Sequence, residues 1–303
     1  MPQTLKFLIN VLRGAFIGLV ELVPGISGGT VALIIGIYER ALHNGTLLID
    51  AVKQRTKAAF RAVDWPFLAA VGLGMVAALF TMSGVMHGFV EAHPQVSRGL
   101  FLGMVAVSIV VPVGMMDSRE VRRRWPRLLP IFAVFAIAAF FGTGFTAAPH
   151  ENPSLILIFF AAMIAVCALI LPGLSGSFML LAFGLYQPVT AALSARDWPV
   201  IFTFILGAAI GVIAFVRVLD HLLSHHRTIT LTVMAGLMAG SLRALWPWQG
   251  DNAELMAPAG NVSGVVLAIV AGAALVAGLL IADHVLENRG SKVISTSDPK
   301  EDA

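Results

Sequence analysis

Apolar residues run along this chain in long stretches separated by short polar segments. Several stretches reach the length of about 20 residues that a helix needs to cross a membrane. They cover residues 65–90, 96–116, 128–147, 198–219, 229–248 and 262–282. Two further apolar stretches, 5–41 and 153–193, are each interrupted near the middle by Pro and Gly. The pattern predicts an all-α polytopic membrane protein.

The two interruptions share one motif. The first is Pro24-Gly25-Ile26-Ser27-Gly28-Gly29-Thr30, and Pro172-Gly173-Leu174-Ser175-Gly176-Ser177 follows 148 residues later. A Gly-x-Tyr element comes after each copy, at 36–38 and 184–186. A Pro-Gly pair cannot continue a helix, because Pro lacks an N–H and Gly is costly to order. Each stretch therefore predicts a re-entrant hairpin of two short helices that enters and leaves by the same face. In the first hairpin the second helix is predicted over 28–41.

The repeat extends beyond these motifs. The matching positions are Asp64-Trp65-Pro66 with Asp197-Trp198-Pro199, Gly74 with Gly207, Gly103 with Gly236, and Ser108 with Ser241. The chain thus divides into a first repeat, 1–150, a second repeat, 151–286, and a polar cytoplasmic tail, 287–303, which we expect to be disordered. Each repeat has one hairpin and three spans. Only the first repeat carries a basic segment, 43–64, which is interpreted as an amphipathic interfacial helix.

An odd number of spans in each repeat means that the second repeat is inverted in the membrane. Positive charge tests this topology, because Lys and Arg concentrate in cytoplasmic loops. With the N-terminus inside, all but four of the 20 Lys and Arg residues fall on cytoplasmic segments, the exceptions being Arg13, Arg98, Arg196 and Arg243. We therefore predict an inverted-topology repeat with both termini in the cytoplasm.

Composition narrows the class of protein further. The chain is 58% hydrophobic and 12% charged, with a mean hydropathy of +0.87. Its basic residues flank membrane segments, so its net charge of +3 does not indicate nucleic-acid binding. The single cysteine, Cys167, excludes an internal disulfide and a cysteine metal cluster. No metal site, cofactor or enzyme motif is predicted, which favours carriage over catalysis.

The breaks are candidate anion sites. The N–H groups at the start of a helix lack partners, and the helix dipole is positive there. Serine suits the N-cap position, glycine allows a ligand close to the backbone, and hydroxyls add donors. These residues predict a phosphate cradle: Ser27, Gly28, Gly29, Thr30, Ser175, Gly176 and Ser177. The alternative is that both breaks are tight turns capped by the chain itself.

Charged residues inside apolar segments form a second set of candidates. Arg13 and Glu21 are eight residues apart and fall roughly on one helix face. Charges at this depth are expensive and usually functional, so we interpret Arg13 as an anion ligand and Glu21 as a proton carrier. A structural ion pair, or Arg13 snorkelling to the interface, are the alternatives. Arg98 and Arg243, at outer ends of spans, are candidates for head-group capture or for interfacial anchoring.

These residues resemble a known family. Arg13-Gly14, Glu21, the motif 24–30 with Gly36-Ile37-Tyr38-Glu39, and the second motif, 172–186, are similar to the PopT family of polyprenyl-phosphate transporters. The resemblance implies a bacterial inner (plasma) membrane flippase that returns undecaprenyl phosphate to the inner leaflet. That lipid carries precursors of peptidoglycan and other surface glycans. The implied partner is this lipid. Because inward movement of a phosphate opposes an inside-negative potential, we also expect a coupling ion, H⁺ or Na⁺.

A second family is similar at the motif and implies a different function. The membrane undecaprenyl-pyrophosphate phosphatases also have paired re-entrant hairpins, with a Pro-Gly-x-Ser-Arg-Ser element. Gly28 and Gly176 stand here at the position of that Arg, which argues against hydrolysis. The sequence also leaves open a small-anion transporter and a structural or assembly protein.

Overall fold

The structure is a computed structural model that describes residues 3–22, 27–145, 150, 153–250 and 253–295. These residues form helices joined by short turns, with one isolated antiparallel bridge between Gln249 and Leu255. The α-helices in residues 1–150 are α1 (Gln3–Glu21), α2 (Gly28–Ile34), α3 (Tyr38–Gln54), α4 (Lys57–Ala62), α5 (Trp65–Ala92), α6 (Pro94–Ser108), α7 (Val110–Gly114) and α8 (Ser118–Gly142). Those that follow are α9 (Leu155–Ile170), α10 (Gly176–Ala182), α11 (Tyr186–Ala195), α12 (Trp198–His225), α13 (Arg227–Ser241) and α14 (Val262–Ser295), with a 3₁₀ helix, Leu242–Leu245, after α13.

Seven of the helical segments in the described part of the chain are long and apolar enough to cross a membrane. They are Gln3–Glu21, Trp65–Ala92, Pro94–Gly114, Ser118–Gly142, Trp198–His225, Arg227–Leu245 and Val262–Ile281. Many large apolar side chains on them are exposed, as expected of surfaces that face lipid. The prediction of an all-α polytopic membrane protein is confirmed at this level.

The second helix of the first hairpin is shorter than the sequence predicts. The predicted helix 28–41 ends at Ile34, because Gly36 adopts a left-handed conformation with φ 69°. The N–H of Ile37 then bonds to the carbonyl of Ala32 at 3.0 Å, as in a Schellman cap. Gly184, with φ 65°, ends α10 in the same way, and α10 and α11 diverge there by 113°.

Three other boundaries differ from the predicted ones. The segment predicted as one interfacial helix, 43–64, is formed by two helices, α3 and α4, and α3 begins earlier, at Tyr38. Helix α8 begins at Ser118, ahead of the predicted span 128–147, and so includes the basic residues that precede that span. Helix α14 continues to Ser295, so part of the predicted disordered tail is helical, and 296–303 lie outside the described residues.

The two halves repeat their local backbone structure. Ser27 and Ser175 precede α2 and α10 with nearly the same dihedrals, φ −105° and ψ 128° against φ −106° and ψ 131°. Asp64 and Asp197 cap α5 and α12 by accepting from a backbone N–H three residues later. The main helix contacts match as well: α1 packs on α5 as α9 packs on α12, and α6 packs on α14 as α13 packs on α8.

Glycines allow the backbones of these helix pairs to approach closely, as is common between helices in membranes. A Cβ on Gly14 of α1 would overlap the carbonyl oxygen of Val71 in α5. In the second half, a Cβ on Gly211 of α12 would lie 2.8 Å from the carbonyl oxygen of Met163 in α9. Each hairpin is therefore fixed against the first long helix that follows it.

Ion pairs gather at one end of the molecule, which we call the basic end. Here the start of α3 and the junction of α12 and α13 are joined by Glu39 and Arg227, 2.8 Å apart. Asp50 of α3 and Arg217 of α12 are 2.5 Å apart. The basic start of α8 belongs to this end, since Thr228 of α13 bonds to Glu120 of α8. The basic helix α4 lies between α3 and α5, which an ion pair of Arg40 with Asp64 joins at the same end.

Candidate functional site

The first break is held by side chains of its own hairpin. Ser27 is the N-cap of α2, and its Oγ accepts from the N–H of Gly29 at 3.2 Å. The Glu21 carboxylate, from the end of α1, accepts from the N–H of Gly28 at 2.8 Å. A carboxylate at a helix N-terminus is stabilised by the unpaired N–H groups and by the dipole. These two donors of the predicted cradle are thus satisfied by the chain in this conformation, and 23–26 lie outside the described residues.

The first hairpin also bonds to the end of α9 in the second hairpin. The hydroxyl of Ser27 lies 3.0 and 3.1 Å from the carbonyl oxygens of Leu169 and Leu171 and donates to them. The hydroxyl of Tyr38 donates to the carbonyl of Ile170 at 3.0 Å. The last carbonyls of a helix have no partner within the helix. Side chains of one hairpin therefore satisfy the open end of a helix in the other.

A further bond joins the two breaks directly. The Oγ1 of Thr30 accepts from the N–H of Gly173 at 2.8 Å, and both residues are buried. Gly29 comes equally close, since a Cβ there would lie 2.5 Å from the carbonyl oxygen of Ile170. Gly173 needs its left-handed backbone, with φ 91°, at this point. The structure thus brings the two predicted motifs into contact at their turns.

The second break is organised differently. Ser175 is buried, yet its side chain makes no cap bond to α10, and its Oγ lies 2.9 Å from the Oγ of Ser177. Gly176 packs on α9, where a Cβ would lie 2.7 Å from the carbonyl oxygen of Ala165. The predicted hydroxyls of this motif therefore face each other, while those of the first motif bond across to the second hairpin.

A cavity of about 270 Å³, which we call the turn cavity, lies beside the first break. Its lining is mostly apolar and comes from α1, α2, α3, α5, α9 and α12. Glu21 is the acidic side chain among the described residues that line it, and Tyr38 contributes a hydroxyl. The Glu21 carboxylate therefore faces a mostly apolar cavity and keeps one hydrogen bond, from the N–H of Gly28.

Arg13 lies away from the turn cavity. A separation of eight residues places it about 12 Å from Glu21 along the helix axis. Its Nη1 donates to Oδ1 of Asn10 at 3.5 Å, and the described residues contain no ion pair between Arg13 and Glu21. The structure thus offers no support for the structural-pair alternative, and it leaves Arg13 between the break and the start of α1.

Arg98 lies near the start of α6, and Arg243 lies in the 3₁₀ helix after α13. Arg98 is half-buried near the start of α6 and has no ion pair within the described residues. Arg243 follows α13 and donates to the carbonyls of Phe140 and Ala253 at 3.2 and 3.4 Å. It also lies 5.0 Å from the ring centroid of Phe140. These contacts fix Arg243 against α8, as an anchoring residue would be fixed.

The sequence did not predict that Tyr38 contacts the end of α9. The repeated Gly-x-Tyr element marks Tyr38 and Tyr186 as candidates, but the repeat does not show that one tyrosine is buried and the other exposed. Tyr38 is 6% exposed and bonds to Ile170, whereas Tyr186 is 38% exposed. Thr30 was predicted as a hydroxyl donor toward a ligand, and the structure shows it accepting a bond from Gly173.

The fold and its paired breaks define the chain as a multi-pass helical membrane protein. Residues 17–263 match the family model described as VCA0040-like, undecaprenyl phosphate translocase-like, and the chain belongs to that family. The resemblance seen in the sequence is thereby confirmed.

Two relatives agree with this assignment. The chain is 33% identical over 254 residues to the polyprenyl-phosphate transporter of Vibrio cholerae serotype O1, covering 82% of this chain and 80% of the relative. It is 28% identical over 260 residues to the polyprenyl-phosphate transporter of Staphylococcus aureus, covering 80% and 88%. No solved structure matches the chain. Both relatives are named as transporters, so the prediction of a transporter rather than an enzyme is confirmed.

Proposed function

We propose that this protein carries undecaprenyl phosphate, or a related polyprenyl phosphate, between the leaflets of the bacterial inner membrane. The observation that carries the proposal is the contact between two broken hairpins, whose turns meet beside a cavity containing Glu21. Interrupted helices paired in two halves of a membrane protein are typical of transport sites. The names of the relatives supply the class of substrate.

In this proposal both hairpins are re-entrant, and the two halves are inverted. Residues from the starts of α1, α3 and α5 line one cavity, so the chain returns after α2 to the end where α1 begins. The N–H of His150 donates to the carbonyl of Gly184 at 3.1 Å, so the chain returns after α10 to the start of α9. Helix α12 then runs about 40 Å from the second hairpin to the basic end. The hairpins thus enter from opposite ends.

The proposed orientation places the basic end and both termini in the cytoplasm, because basic segments stay inside. The returned lipid would then serve again as carrier for peptidoglycan and other envelope glycans.

The head group is proposed to pass the paired breaks with its isoprenoid tail in the bilayer. A phosphate monoester carries a charge of about −1.5 to −2 near neutral pH, so it needs donors and cations along its path. The proposed ligands are Arg13, the first-break residues Ser27, Gly28, Gly29 and Thr30, and the second-break residues Ser175, Gly176 and Ser177. The first-break ligands become available when the head group replaces the Glu21 carboxylate at the N–H of Gly28.

Ion coupling is the remaining part of the proposal. Inward movement of the anion opposes an inside-negative potential by about 2.3 kcal/mol per charge per 100 mV. A proton or sodium ion on Glu21 offsets this cost, and neutralising Glu21 also weakens its bond to the N–H of Gly28, so the phosphate can replace it there. Release of the ion on the cytoplasmic side would restore the bond between Glu21 and Gly28.

The experiment that tests the substrate class uses purified protein in vesicles. Movement of undecaprenyl phosphate between leaflets, flux of inorganic phosphate, and release of phosphate from undecaprenyl pyrophosphate are measured in one preparation. We expect movement of the lipid without the other two signals. Phosphate release would identify a phosphatase, and phosphate flux without lipid would identify a small-anion transporter.

A further inference from the structure

A second, larger cavity lies at the basic end, between the starts of α1, α3 and α5. Its volume is about 490 Å³, and we call it the end cavity. Lys6, Asn10, Arg40 and Asp64 give it a polar wall, and Phe7 is among its apolar residues. A cavity that joins cationic, polar and apolar surfaces suits the head group of an amphipathic lipid.

The charges in the end cavity leave it positive. Arg40 forms an ion pair with Asp64 and lies 4.1 Å from the ring centroid of Phe67. The Arg40 guanidinium holds the pKa of the Asp64 carboxyl below its usual value, so this carboxyl is ionised at neutral pH and balances Arg40. Lys6 is exposed and has no ion pair within the described residues. Its ammonium group is therefore the net charge that an anion would meet.

The end cavity and the turn cavity lie along the same helices. Both are lined by α1, α3 and α5, with Phe67 of α5 in the end cavity and Val71, one turn further, in the turn cavity. On α1, Lys6 and Asn10 line the end cavity, and Glu21 lines the turn cavity.

Helix geometry joins the two cavities by a polar stripe on α1. At 3.6 residues per turn, Lys6, Asn10, Arg13 and Glu21 fall within an arc of about 80°. Over about 22 Å of helix the stripe passes from the end cavity to the break. Arg13 stands between the two cavities and donates to Asn10 at 3.5 Å. The stripe thus offers an anion successive polar contacts from the end cavity to Arg13, and Ile17 lies in the same arc between Arg13 and Glu21.

The outer side of α1 is suited to a lipid tail. Leu5, Leu8 and Leu12 are 41%, 54% and 70% exposed and recur at the spacing of one helix face. A lipid whose head group lies in the end cavity could therefore keep its chain in the bilayer beside α1.

We infer that the end cavity is a second binding site for the lipid phosphomonoester, with Lys6 as its principal cation and Asn10 passing the head group to Arg13. This inference rests on the proposed function and adds a binding site for the lipid in the leaflet at the basic end. It assigns Lys6 and Asn10 a role in transport that the breaks alone do not require.

Protection of an introduced cysteine tests the inference. Thr4, which lines the end cavity, is changed to Cys in a Cys167→Ala background and treated with a charged maleimide. We expect undecaprenyl phosphate to slow the labelling of Thr4→Cys. Thr56→Cys is the matched control, because Thr56 is exposed, precedes α4 and does not line the cavity.

Charge variants assign the effect to Lys6. Lys6→Gln should raise the concentration of lipid that gives half protection roughly tenfold, because a charge-assisted bond is lost. Lys6→Arg should restore the concentration found for the unmodified Lys6. Lys53→Gln is the matched control, because it removes an exposed charge at the same end but outside the cavity, and it should change this concentration by less than about twofold. No change in Lys6→Gln would overturn the inference.

Two comparisons separate this inference from the proposed function. Equal protection by phosphatidylglycerol or by inorganic phosphate would overturn a site for a lipid phosphomonoester. Movement of undecaprenyl phosphate between leaflets without protection of Thr4→Cys would overturn the end-cavity site and leave the transport proposal intact. Protection without such movement would support the site and contradict the transport proposal.

Discussion

The carboxylate of Glu21 accepts a hydrogen bond from the N–H of Gly28 at 2.8 Å, across the break between α1 and α2. An internal anion therefore occupies the helix start that the sequence predicts as a phosphate site. A phosphate that reaches Gly28 must replace this carboxylate. The relationship makes competition between Glu21 and the head group the main feature of the proposed mechanism.

Glu21→Gln should separate the charge of this side chain from its hydrogen bond. The amide oxygen can still accept from Gly28, so we expect the variant to fold. Without a group that takes up a cation, the transport rate should fall about tenfold, equivalent to about 1.4 kcal/mol in the barrier, and lose its dependence on pH or sodium. Vesicle transport at several pH and sodium values measures this.

Glu254→Gln is the control, because Glu254 is exposed and outside the turn cavity. An unchanged rate and an unchanged pH and sodium response in Glu21→Gln would exclude the coupling role.

Tyr38→Phe should weaken the contact between the hairpins. The change removes the donor to the carbonyl of Ile170, which lies at the end of α9. Loss of such a bond costs about 1 kcal/mol, so the thermal midpoint of the purified protein should fall. Tyr186→Phe removes the equivalent hydroxyl from an exposed position and should leave the midpoint nearly unchanged. Equal effects of the two changes would contradict the assigned contact.

Ser27→Ala and Ser175→Ala test the phosphate cradle. If both serines meet the head group, each change should weaken binding of undecaprenyl phosphate about tenfold, because a bond to a charged group is worth about 1.5–3 kcal/mol. Ser27→Ala should also lower stability, since its hydroxyl donates to carbonyls at the end of α9. Binding to purified variants and thermal unfolding measure the two effects.

Ser263→Ala, in an exposed position at the start of α14, is the control for both serine variants. The cradle would be wrong if both variants kept the affinity of the unmodified protein.

A charge exchange should test the connection between the halves at the basic end. Asp50 and Arg217 are 2.5 Å apart, and both are partly exposed. Reversing either charge alone should lower stability by about 0.5–1 kcal/mol, because a pair becomes a repulsion, and Asp50→Arg with Arg217→Asp should recover part of the loss. Unfolding at low and high salt measures the coupling. Additive effects of the two changes would show that the pair does not join α3 to α12.

The sequence predicts most of the membrane helices because their length and apolarity depend on local residues. Trp65 and Trp198, preceded by capping aspartates and followed by Pro, begin α5 and α12 as the repeat indicates. The shorter arm that ends at Ile34 was missed, because a periodic apolar run conceals the left-handed Gly36. The continuation of α14 was missed because polar residues that lie beyond a span can still be helical.

The sequence predicted which residues form the candidate site better than it predicted the contacts between them. The matched motifs indicated that the two breaks act together, and Thr30 and Gly173 do meet. The sequence could not show that Glu21 bonds to Gly28 or that Ser27 bonds to the end of α9, because these contacts depend on how the hairpins pack. The role of the cradle residues in binding phosphate remains a prediction.

The most direct test of the account is the rate at which undecaprenyl phosphate moves between leaflets of sealed vesicles. Lipid head groups on one side are marked, and their appearance on the other side is followed with the unmodified protein, with Glu21→Gln and without protein. The account predicts rapid exchange with the unmodified protein and a strongly reduced rate with Glu21→Gln. An unmodified protein that exchanges the lipid no faster than vesicles without protein would contradict the central claim.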